Sequence, residues 1–390
     1  MTPPDRTTWD LYRNIDGGHG GEVIRVTNLE RAGPGSLAAA LAEHGKRIVV
    51  FDVAGVIDLQ KNSLVITEGD LTVAGQTAPS PGVTLIRGGL SIQAENVVLQ
   101  HLRIRPGEAG AAKGSGWSAD ALSTSAGASR VWIDHCSLTW ATDENLSASG
   151  PRFLGDSPDN WRASTSHDIV FSHNIIAEGL SHSTHAKIEH SKGILIHDNV
   201  SGVLIHGNLL AHNRERNPLL KGGATAVLVN NFIYDPGSRA VHYNLIATEW
   251  GGRSRQAGRL TAVGNVLRGG PSTLAGLPFL MLGGDGDLHY HAHDNVAVDW
   301  RGAALPPIGR YTTSNARLIE HPQPLDWPLG LEPLPATRVE THVLSIAGAR
   351  PWDRDPHDWR IVSNAVEGLG RIIDSEREVG GYPTKGTPTK

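Results

Sequence analysis

Short alternations of apolar and polar residues recur along this chain, and most of them end at an asparagine. The eight-residue pattern apolar-x-apolar-x-x-Asn-x-apolar occurs as IVFSHNII, VLIHGNLL, AVLVNNFI and LTAVGNVL, and more weakly as YHAHDNVA. Successive asparagines of the pattern are separated by 34, 23, 34 and 30 residues; they are Asn174, Asn208, Asn231, Asn265 and Asn295. VWIDHCSL and VVLQHLRI fit the same frame, with Cys136 and Leu102 at the asparagine position. This pattern predicts short strands whose inward side chains fill a core.

Strands repeated at such intervals indicate stacked coils rather than separate globular units. Asparagine tolerates left-handed backbone at turns, and stacked asparagines can form a hydrogen-bonded ladder. Between the strands lie further short apolar runs instead of amphipathic helices, which argues against βαβ units. We therefore predict an all-β fold, a single-stranded right-handed parallel β-helix, with repeats over about 48–300.

The ends of the chain have different patterns. SLAAALAEHG, Ser36 to Gly45, has a serine N-cap and a glycine stop, and it predicts a helix that caps the open end of the coils. RPWDRDPHDWRIV belongs to a segment of about 320–380 that we expect to pack on the outside of the coils. Residues 381–390 are expected to form a loose tail. The whole chain, 1–390, is interpreted as a single domain.

Composition narrows the class of protein. A single cysteine, Cys136, excludes an internal disulfide and a multi-thiolate zinc site. The net charge of −5 provides no global basic field, so neither nucleic acid nor an anionic membrane is an expected partner. No apolar run approaches the roughly 18 residues that a membrane span needs. We expect a monomer.

Positive charge is concentrated in HNRERNPLLKGG, directly after a predicted strand. Arg214, Arg216 and Lys221 lie within eight residues, and fixed cations on such a loop can bind carboxylates along a polyanion. His212 and Arg214 of this loop are candidate substrate-binding residues. The alternative is a solvated loop whose arginines pair with Glu215 and nearby acids.

A second cluster is acidic. Asp120, Asp134, Asp143 and Glu144 supply oxygen ligands of the kind that calcium accepts, although Asp in turns often serves turn geometry instead. The stretch SHSTHAKIEHSKG holds three histidines, Lys187 and Lys192. Because it lacks HExxH and a nearby cysteine, it favours contact with sugar over structural zinc.

These motifs together resemble those of the pectate lyase family of polysaccharide lyases, whose members are right-handed parallel β-helices. Arg216-Asn-Pro218-Leu-Leu-Lys221 is similar to the family's R-x-P-x-x-R, and Val131-Trp-Ile-Asp-His135 is similar to its W-[IV]-D-H. The N-terminal coils and the PWDRD and GGYP segments also resemble family members. The resemblance implies calcium-assisted β-elimination on a uronic-acid polymer such as polygalacturonate, giving 4,5-unsaturated products.

The resemblance also implies roles for single residues. Arg216 corresponds to the family's proton-abstracting arginine, and Lys221 to a second arginine that binds the substrate carboxylate. Asp120 and Asp143 correspond to calcium ligands, and Glu144 is the candidate replacement for a missing partner acid, since Ser118 and Ser147 stand where the family has acids. Ser181 stands where the family has a lysine, for which Lys187 is the candidate replacement.

Two other functions fit a β-helix. A glycoside hydrolase would use two carboxylates as acid and base, for which Asp134, Asp143 and Glu144 are available. A non-catalytic polysaccharide-binding solenoid is the third possibility. The resemblance further suggests a secreted or periplasmic protein of bacterial origin, although the chain itself carries no signal peptide.

Overall fold

The computed structural model describes residues 8–9, 15–187, 189–311 and 313–384. Most of the expected tail, residues 385–390, therefore lies outside the described residues. The chain winds through three parallel sheets, one strand of each sheet per coil, so that every strand pairs with the equivalent strand of the next coil. Right-handed crossovers are the rule for parallel strands, and the predicted parallel β-helix is confirmed.

The first sheet has eleven strands. They are Glu22–Val26, Arg47–Phe51, Leu71–Ala74, Glu95–Gln100, Ser129–Asp134, His167–Ser172, Ser201–His206, Thr225–Val229, Gly258–Val263, Leu288–His293 and Leu318–Glu320. The five strands from His167–Ser172 to Leu288–His293 each end at a turn that holds one of the repeated asparagines. The sequence pattern therefore marks the corner between the first and second sheets.

The second and third sheets have nine strands each. The second contains Gly55–Asp58, Val83–Ile86, Arg103–Arg105, Ser137–Thr139, Ile175–Ala177, Leu209–Ala211, Phe232–Tyr234, Val266–Arg268 and Val296–Val298. The third contains Leu64–Ile66, Leu90–Ile92, Leu122–Thr124, Glu144–Ala148, Lys192–Ile196, Leu219–Lys221, Val241–Leu245, Leu280–Gly284 and Ile308–Arg310. A separate pair joins Thr8–Trp9 to Trp327–Pro328.

The core lies between the three sheets, where inward residues stack in rows along the axis. In the third sheet, Leu122 pairs with Leu146, and Leu146 pairs with Ile194, and all three belong to this core. The next residues, Ser123, Ser147 and Leu195, form the neighbouring row, which faces outward. A candidate site on the third sheet can thus draw side chains from several coils onto one rigid face.

Four α-helices accompany the sheets among the described residues. Helix α1 is Leu37–Ala42, α2 is Pro158–Ser164, α3 is Ala336–Ile346 and α4 is Pro356–Glu367. Three short 3₁₀ turns are Gly75–Thr77, Ala247–Trp250 and Glu376–Val379. No helix of the described residues is both long and apolar enough to cross a membrane.

Helix α1 begins as expected but ends earlier. The Ser36 side chain accepts a hydrogen bond from the Ala39 amide at 3.2 Å, which confirms the predicted N-cap. The helix stops at Ala42, because Glu43 is already extended with ψ of 150°. The predicted glycine stop at Gly45 was therefore wrong by three residues. Leu37, Ala40 and Leu41 of α1 belong to the main core.

Helices α3 and α4 lie on the second sheet. Val339, Val343 and Ile361 pack against outward residues of that sheet, among them Leu209 and Phe232. The outer face of the second sheet is consequently covered, whereas the outer face of the third sheet carries the polar side chains described next.

Candidate active site

Three carboxylates meet where the chain enters the third sheet. One ligand oxygen from each of Asp120, Asp143 and Glu144 lies within 4.8 Å of the others. Asp120 precedes the strand Leu122–Thr124, Asp143 precedes the strand Glu144–Ala148 on the next coil, and Glu144 begins it. The Asp120 carboxylate accepts hydrogen bonds from the Glu144 amide at 3.1 Å and from the Ser147 hydroxyl at 2.7 Å. Parallel stacking thus brings acids 23 residues apart in sequence into one cluster.

Burial and the neighbouring Asp143 carboxylate raise the pKa of Asp120 to about 7, while Ser147 and Arg216 act in the opposite direction. For Asp143, burial also favours the neutral form, but the hydrogen bond from His190 together with the charges of His190, His185 and Arg216 outweighs burial and keeps its pKa below the ordinary value. His190 Nε2 lies 2.6 Å from Asp143 Oδ1, and His185 Nε2 lies 3.8 Å from Oδ2. The histidines of this stretch therefore hold Asp143 in place.

Arg216 is part of the same cluster. It lies in the turn before the strand Leu219–Lys221, two coils from Glu144, and its guanidinium forms an ion pair with the Glu144 carboxylate. Burial lowers the pKa of Arg216, and the charges of Asp143 and Asp120 partly offset this effect. The arginine predicted to abstract the proton and the three predicted metal ligands therefore share one face.

Further cations line this face on the following coils. Lys192 pairs in register with Glu144, and its ammonium forms an ion pair with Glu215. Arg239 forms an ion pair with the other oxygen of Glu215. We call Lys192, Arg216, Lys221 and Arg239 the cation row.

Lys221 lies at the far end of its strand, and its ammonium is 2.9 Å from Glu249. Between these cations lies His242, which is fully buried and has no hydrogen-bond partner for either ring nitrogen. Burial, with the charges of Arg239, Arg216 and Lys221, lowers the pKa of His242 well below its ordinary value. A neutral imidazole thus fills the space between the cations.

The other candidate substrate-binding residues are placed differently. Arg214 is partly exposed, with its guanidinium 3.0 Å from Glu189. Lys187 is exposed, and its amide donates to His185 Nδ1 at 3.0 Å. His212 is 0% exposed, and its Nδ1 lies 2.9 Å from the buried carboxylate of Asp235. With no accessible surface, His212 cannot contact a sugar, so we remove it from the candidate set.

Sequence reasoning underrated Lys192, considered Glu215 only as an ion-pair partner of the loop arginines, and missed Arg239 and His242. Lys192 stood in the histidine-rich stretch, but only the strand register shows that it, rather than Lys187, pairs with Glu144. Arg239 and His242 lie outside every recognised motif. Their position follows from stacking on the next coil, where Leu219 pairs with His242.

Of the carboxylates named for hydrolysis, only Asp143 and Glu144 lie together. Asp134 ends a strand of the first sheet and binds His135 and His173 at 2.8 and 3.0 Å. It therefore lies at a different corner of the coil. A glycoside hydrolase would have to use Asp143 and Glu144 alone, and the class of product decides between this alternative and elimination.

The fold and this charged face define a class, the three-sheet parallel β-helix. A crystal structure of the major allergen from cedar pollen has a TM-score of 0.59 at 16% identity, covering 87% of this chain and 92% of that one. A pectate lyase bound to a hexasaccharide also has a TM-score of 0.59, at 12% identity, covering 89% and 98%. At these identities the likeness concerns the fold.

The sequence relatives are more specific. No family model matches the chain. A probable pectate lyase C of Aspergillus flavus is 29% identical over 374 residues, which is 94% of this chain and 78% of that protein. Its counterpart in Emericella nidulans is 34% identical over 261 residues, 67% and 52% respectively. The family resemblance read from the motifs is confirmed: the chain is a relative of the pectate lyases.

One expectation is overturned by the same relatives. They come from fungi, including Aspergillus fumigatus and Neosartorya fischeri, where 29% identity extends over 384 and 381 residues. The expected bacterial origin of a secreted or periplasmic protein is therefore wrong.

Proposed function

We propose that this protein is a polysaccharide lyase that cleaves pectate by β-elimination. The carrying observation is that the Arg216 guanidinium lies against the same cluster of carboxylates, Asp120, Asp143 and Glu144, where the chain enters the third sheet. Its sequence relatives are named pectate lyases. A rigid face that presents fixed cations beside acids suits a linear chain of uronic acids.

The acid cluster fits calcium. All donors are oxygens, which calcium takes six to eight at a time. Two of the three carboxylates, Asp120 and Asp143, come from turns of adjacent coils, and the pKa of Asp120 is raised by burial and by Asp143, as expected where negative charges converge. We propose that Asp120, Asp143 and Glu144 hold calcium, which when bound would neutralise the carboxylate of the sugar.

The chemistry explains why the cation row is needed. The C5 proton of a uronide lies beside a carboxylate, so its removal places a second negative charge next to an existing one. Fixed cations stabilise that charge without reorganising. We assign this role to Lys192 and Lys221, with Arg214 and Lys187 as outer contacts to the polymer. Lys192, Lys221 and Arg214 must each exchange the present carboxylate partner for a sugar acid.

Arg216 takes the proton from C5 in this proposal. The C5–H electrons form the C4=C5 double bond, the C4–O bond breaks, and the leaving oxygen gains a proton from water. A guanidinium must first be neutral to act as base, and its ordinary pKa is above about 12. Burial favours the neutral form of Arg216. Activity is therefore expected to increase toward alkaline pH.

The test is the class of product from polygalacturonate. β-Elimination gives a 4,5-unsaturated sugar that absorbs ultraviolet light, and each bond cleaved yields one such group. A chelator should abolish the absorbance gain, and added calcium should restore it. New reducing ends without absorbance would instead show hydrolysis. Binding of polygalacturonate without bond cleavage would show a non-catalytic solenoid.

A further inference from the structure

Tyr311 lies beside the cation row, and the function proposed above gives it no role. In the third sheet, Lys221 pairs with Asn244, and Asn244 pairs with Gly283. Each of these three residues follows a core residue in the chain; the core residues are Leu220, Tyr243 and Leu282. Because neighbouring residues of a strand alternate between its two faces, the three form a row that points outward.

Tyr311 takes the next place in this outward row. It directly follows Arg310, which pairs with Leu282, and its own amide donates to the Leu282 carbonyl at 2.8 Å. Gly283 has no side chain, and a Cβ atom at this position would clash with the Tyr311 ring. The glycine therefore leaves the space in which the ring lies. Through this space the ring extends back toward His242, two coils earlier.

Two contacts fix the orientation of the Tyr311 ring. The guanidinium carbon of Arg239 lies 4.4 Å from the ring centroid, over its face. A cation in this position is attracted by the ring electrons. The His242 ring meets the Tyr311 ring edge-on, at 87° and with centroids 6.1 Å apart. Since Arg239 is itself held by Glu215, the phenol is positioned before any substrate binds.

The Tyr311 hydroxyl is available to a ligand. Within the described part of the chain, no group forms a hydrogen bond with this hydroxyl. The side chain is only partly buried, so the active face can be reached from it. The phenol is also close enough to Arg216 for each group to shift the pKa of the other. A free proton donor therefore lies near the candidate base.

We propose that Tyr311 is the general acid of the elimination, the group that donates a proton to the leaving C4 oxygen. This inference rests on the proposed function, in which Arg216 is the base. Cleavage needs two groups, because one proton leaves C5 while another must reach the departing oxygen. Arg216 and Tyr311 provide these two groups on one rigid face.

The protons and electrons of this step balance. Arg216 takes the C5 proton, and the C5–H electrons form the C4=C5 double bond. The electrons of the C4–O bond stay with the oxygen, which takes the proton of the Tyr311 hydroxyl. Arg216 is then a guanidinium and Tyr311 a phenolate. Arg216 releases its proton to water and water returns one to Tyr311, so water remains the source of the proton and none is consumed.

The surroundings of Tyr311 keep its hydroxyl protonated at alkaline pH. An ordinary tyrosine has a pKa of about 10. Burial raises the pKa of Tyr311 to about 12, although the charges of Arg239 and Arg216 act in the opposite direction. His242, the third neighbour, is neutral because its own pKa lies well below the ordinary value. An elimination that runs at alkaline pH needs an acid that keeps its proton there.

The experiment compares Tyr311→Phe with wild type in the rate of ultraviolet absorbance gain from polygalacturonate, at alkaline pH with saturating calcium. Phenylalanine keeps the ring beside Gly283 and Arg239 and removes only the hydroxyl. We expect kcat to fall by about 10²–10⁴-fold, the usual contribution of a general acid, while KM stays near the wild-type value. Tyr290→Phe is the matched control, since Tyr290 lies in the core on a strand of the first sheet, and it should keep the wild-type kcat.

Replacing Tyr311 by 3,5-difluorotyrosine separates proton donation from packing. Fluorine makes the phenol more acidic, so the hydroxyl loses its proton at a lower pH than in wild type. The decline of activity on the alkaline side should therefore begin at a lower pH. An alkaline limb that does not move would contradict proton donation by Tyr311.

The outcomes distinguish this inference from the function on which it rests. A Tyr311→Phe protein with the wild-type kcat, or one in which only KM rises, would overturn the role of Tyr311 and leave the lyase intact. A wild-type protein that forms no unsaturated product would instead refute the lyase, and its general acid with it.

Discussion

Every member of the cation row is held by one carboxylate. Arg216 pairs with Glu144, Lys192 and Arg239 share Glu215, and Lys221 pairs with Glu249. Such pairing keeps long side chains in place before a polymer binds. A substrate carboxylate must compete for each cation, so the face is organised for exchange of partners rather than for permanent ion pairs.

Calcium affinity should depend on pH through Asp120. Its pKa is raised to about 7 by burial and by Asp143, so the carboxyl is protonated below this pH and ionised above it. A protonated carboxyl is a poor calcium ligand. Calorimetry should therefore show calcium binding that strengthens by roughly tenfold between pH 6 and 8, the change that loss of about one proton produces.

The matched control for this pH dependence is Asp120→Asn, which has no proton to lose. It should bind calcium weakly and with little change between these pH values. Wild-type affinity that is constant from pH 6 to 8 would contradict the role given to Asp120. The measurement needs no substrate, so it tests the metal site separately from catalysis.

For single residues, the sequence indicated which charged side chains come together more reliably than it indicated which side chains are exposed. Arg216, Asp120 and Asp143 were recognisable because their motif spacing is local. His212 was misjudged because its burial depends on Asp235, 23 residues away on the next coil. Trp140 and Trp161 lie close to the acidic residues in sequence, but both are buried and pack in the interior. Only stacking between coils decides such cases.

The defining element of the fold is the asparagine ladder at the first corner. Asn208 Oδ1 accepts from the Asn174 amide at 2.8 Å and from its Nδ2 at 3.0 Å, and Asn208 Nδ2 donates to Asn231 Oδ1 at 2.9 Å. The ladder continues through Asn265 to Asn295 with the same contacts. The predicted ladder is confirmed, and each asparagine satisfies backbone groups of the neighbouring coil.

The conformation at this corner differs from the expected one. We expected the asparagines themselves to adopt left-handed backbone. Instead the preceding residue has positive φ, as at His173, Gly207 and Asn230. The asparagine side chain is thereby turned inward, where it reaches the next coil. Sequence alone locates the turn but does not say which of its residues carries the unusual conformation.

Removing one rung of the ladder should be costly. In the wild-type protein, the Asn208 side chain accepts a hydrogen bond from the Asn174 amide and donates one to the Phe171 carbonyl at 2.9 Å. Asn208→Ala leaves both groups without these partners in a buried corner. Each unsatisfied buried group costs about 1–3 kcal/mol. We expect the free energy of unfolding, measured in denaturant, to fall by at least about 2 kcal/mol.

The comparison for this prediction is Asn295→Ala at the end of the same ladder. Asn295 is half-buried, so water can replace the lost amide there. Its loss of stability should be clearly smaller than that of Asn208→Ala. Equal losses at the two positions would argue that the ladder stabilises the coils by some means other than buried hydrogen bonding.

At the scale of the whole molecule, helices α3 and α4 of the C-terminal segment cover the outer side of the second sheet. Arg105 binds Asp355 and Asp358 of the C-terminal segment at 2.6 and 2.9 Å, and Arg103 binds Asp358 at 3.2 Å. These buried pairs fasten α4 and its N-cap to the second sheet. The charged cluster lies where the chain enters the third sheet, and the polymer is therefore expected along this side of the coils.

The overall architecture was predictable because a solenoid repeats its information on every coil. Strand, turn and asparagine recur at short range, so the pattern of one coil predicts the next. The docking of α4 was harder to foresee in detail. Arg103 and Asp358 are 255 residues apart, and nothing local joins them.

The central claim is that Arg216 removes the C5 proton of a sugar whose carboxylate is bound by calcium at the neighbouring acid cluster. The most direct measurement is the rate of ultraviolet absorbance gain from polygalacturonate by Arg216→Ala at alkaline pH with saturating calcium. Arg259→Ala is the control, since Arg259 also forms an ion pair, 2.9 Å from Asp326, but on a strand of the first sheet. We predict a loss of about 10²–10⁴-fold for Arg216→Ala only, the usual contribution of a general base. An Arg216→Ala protein as active as the control would contradict the account.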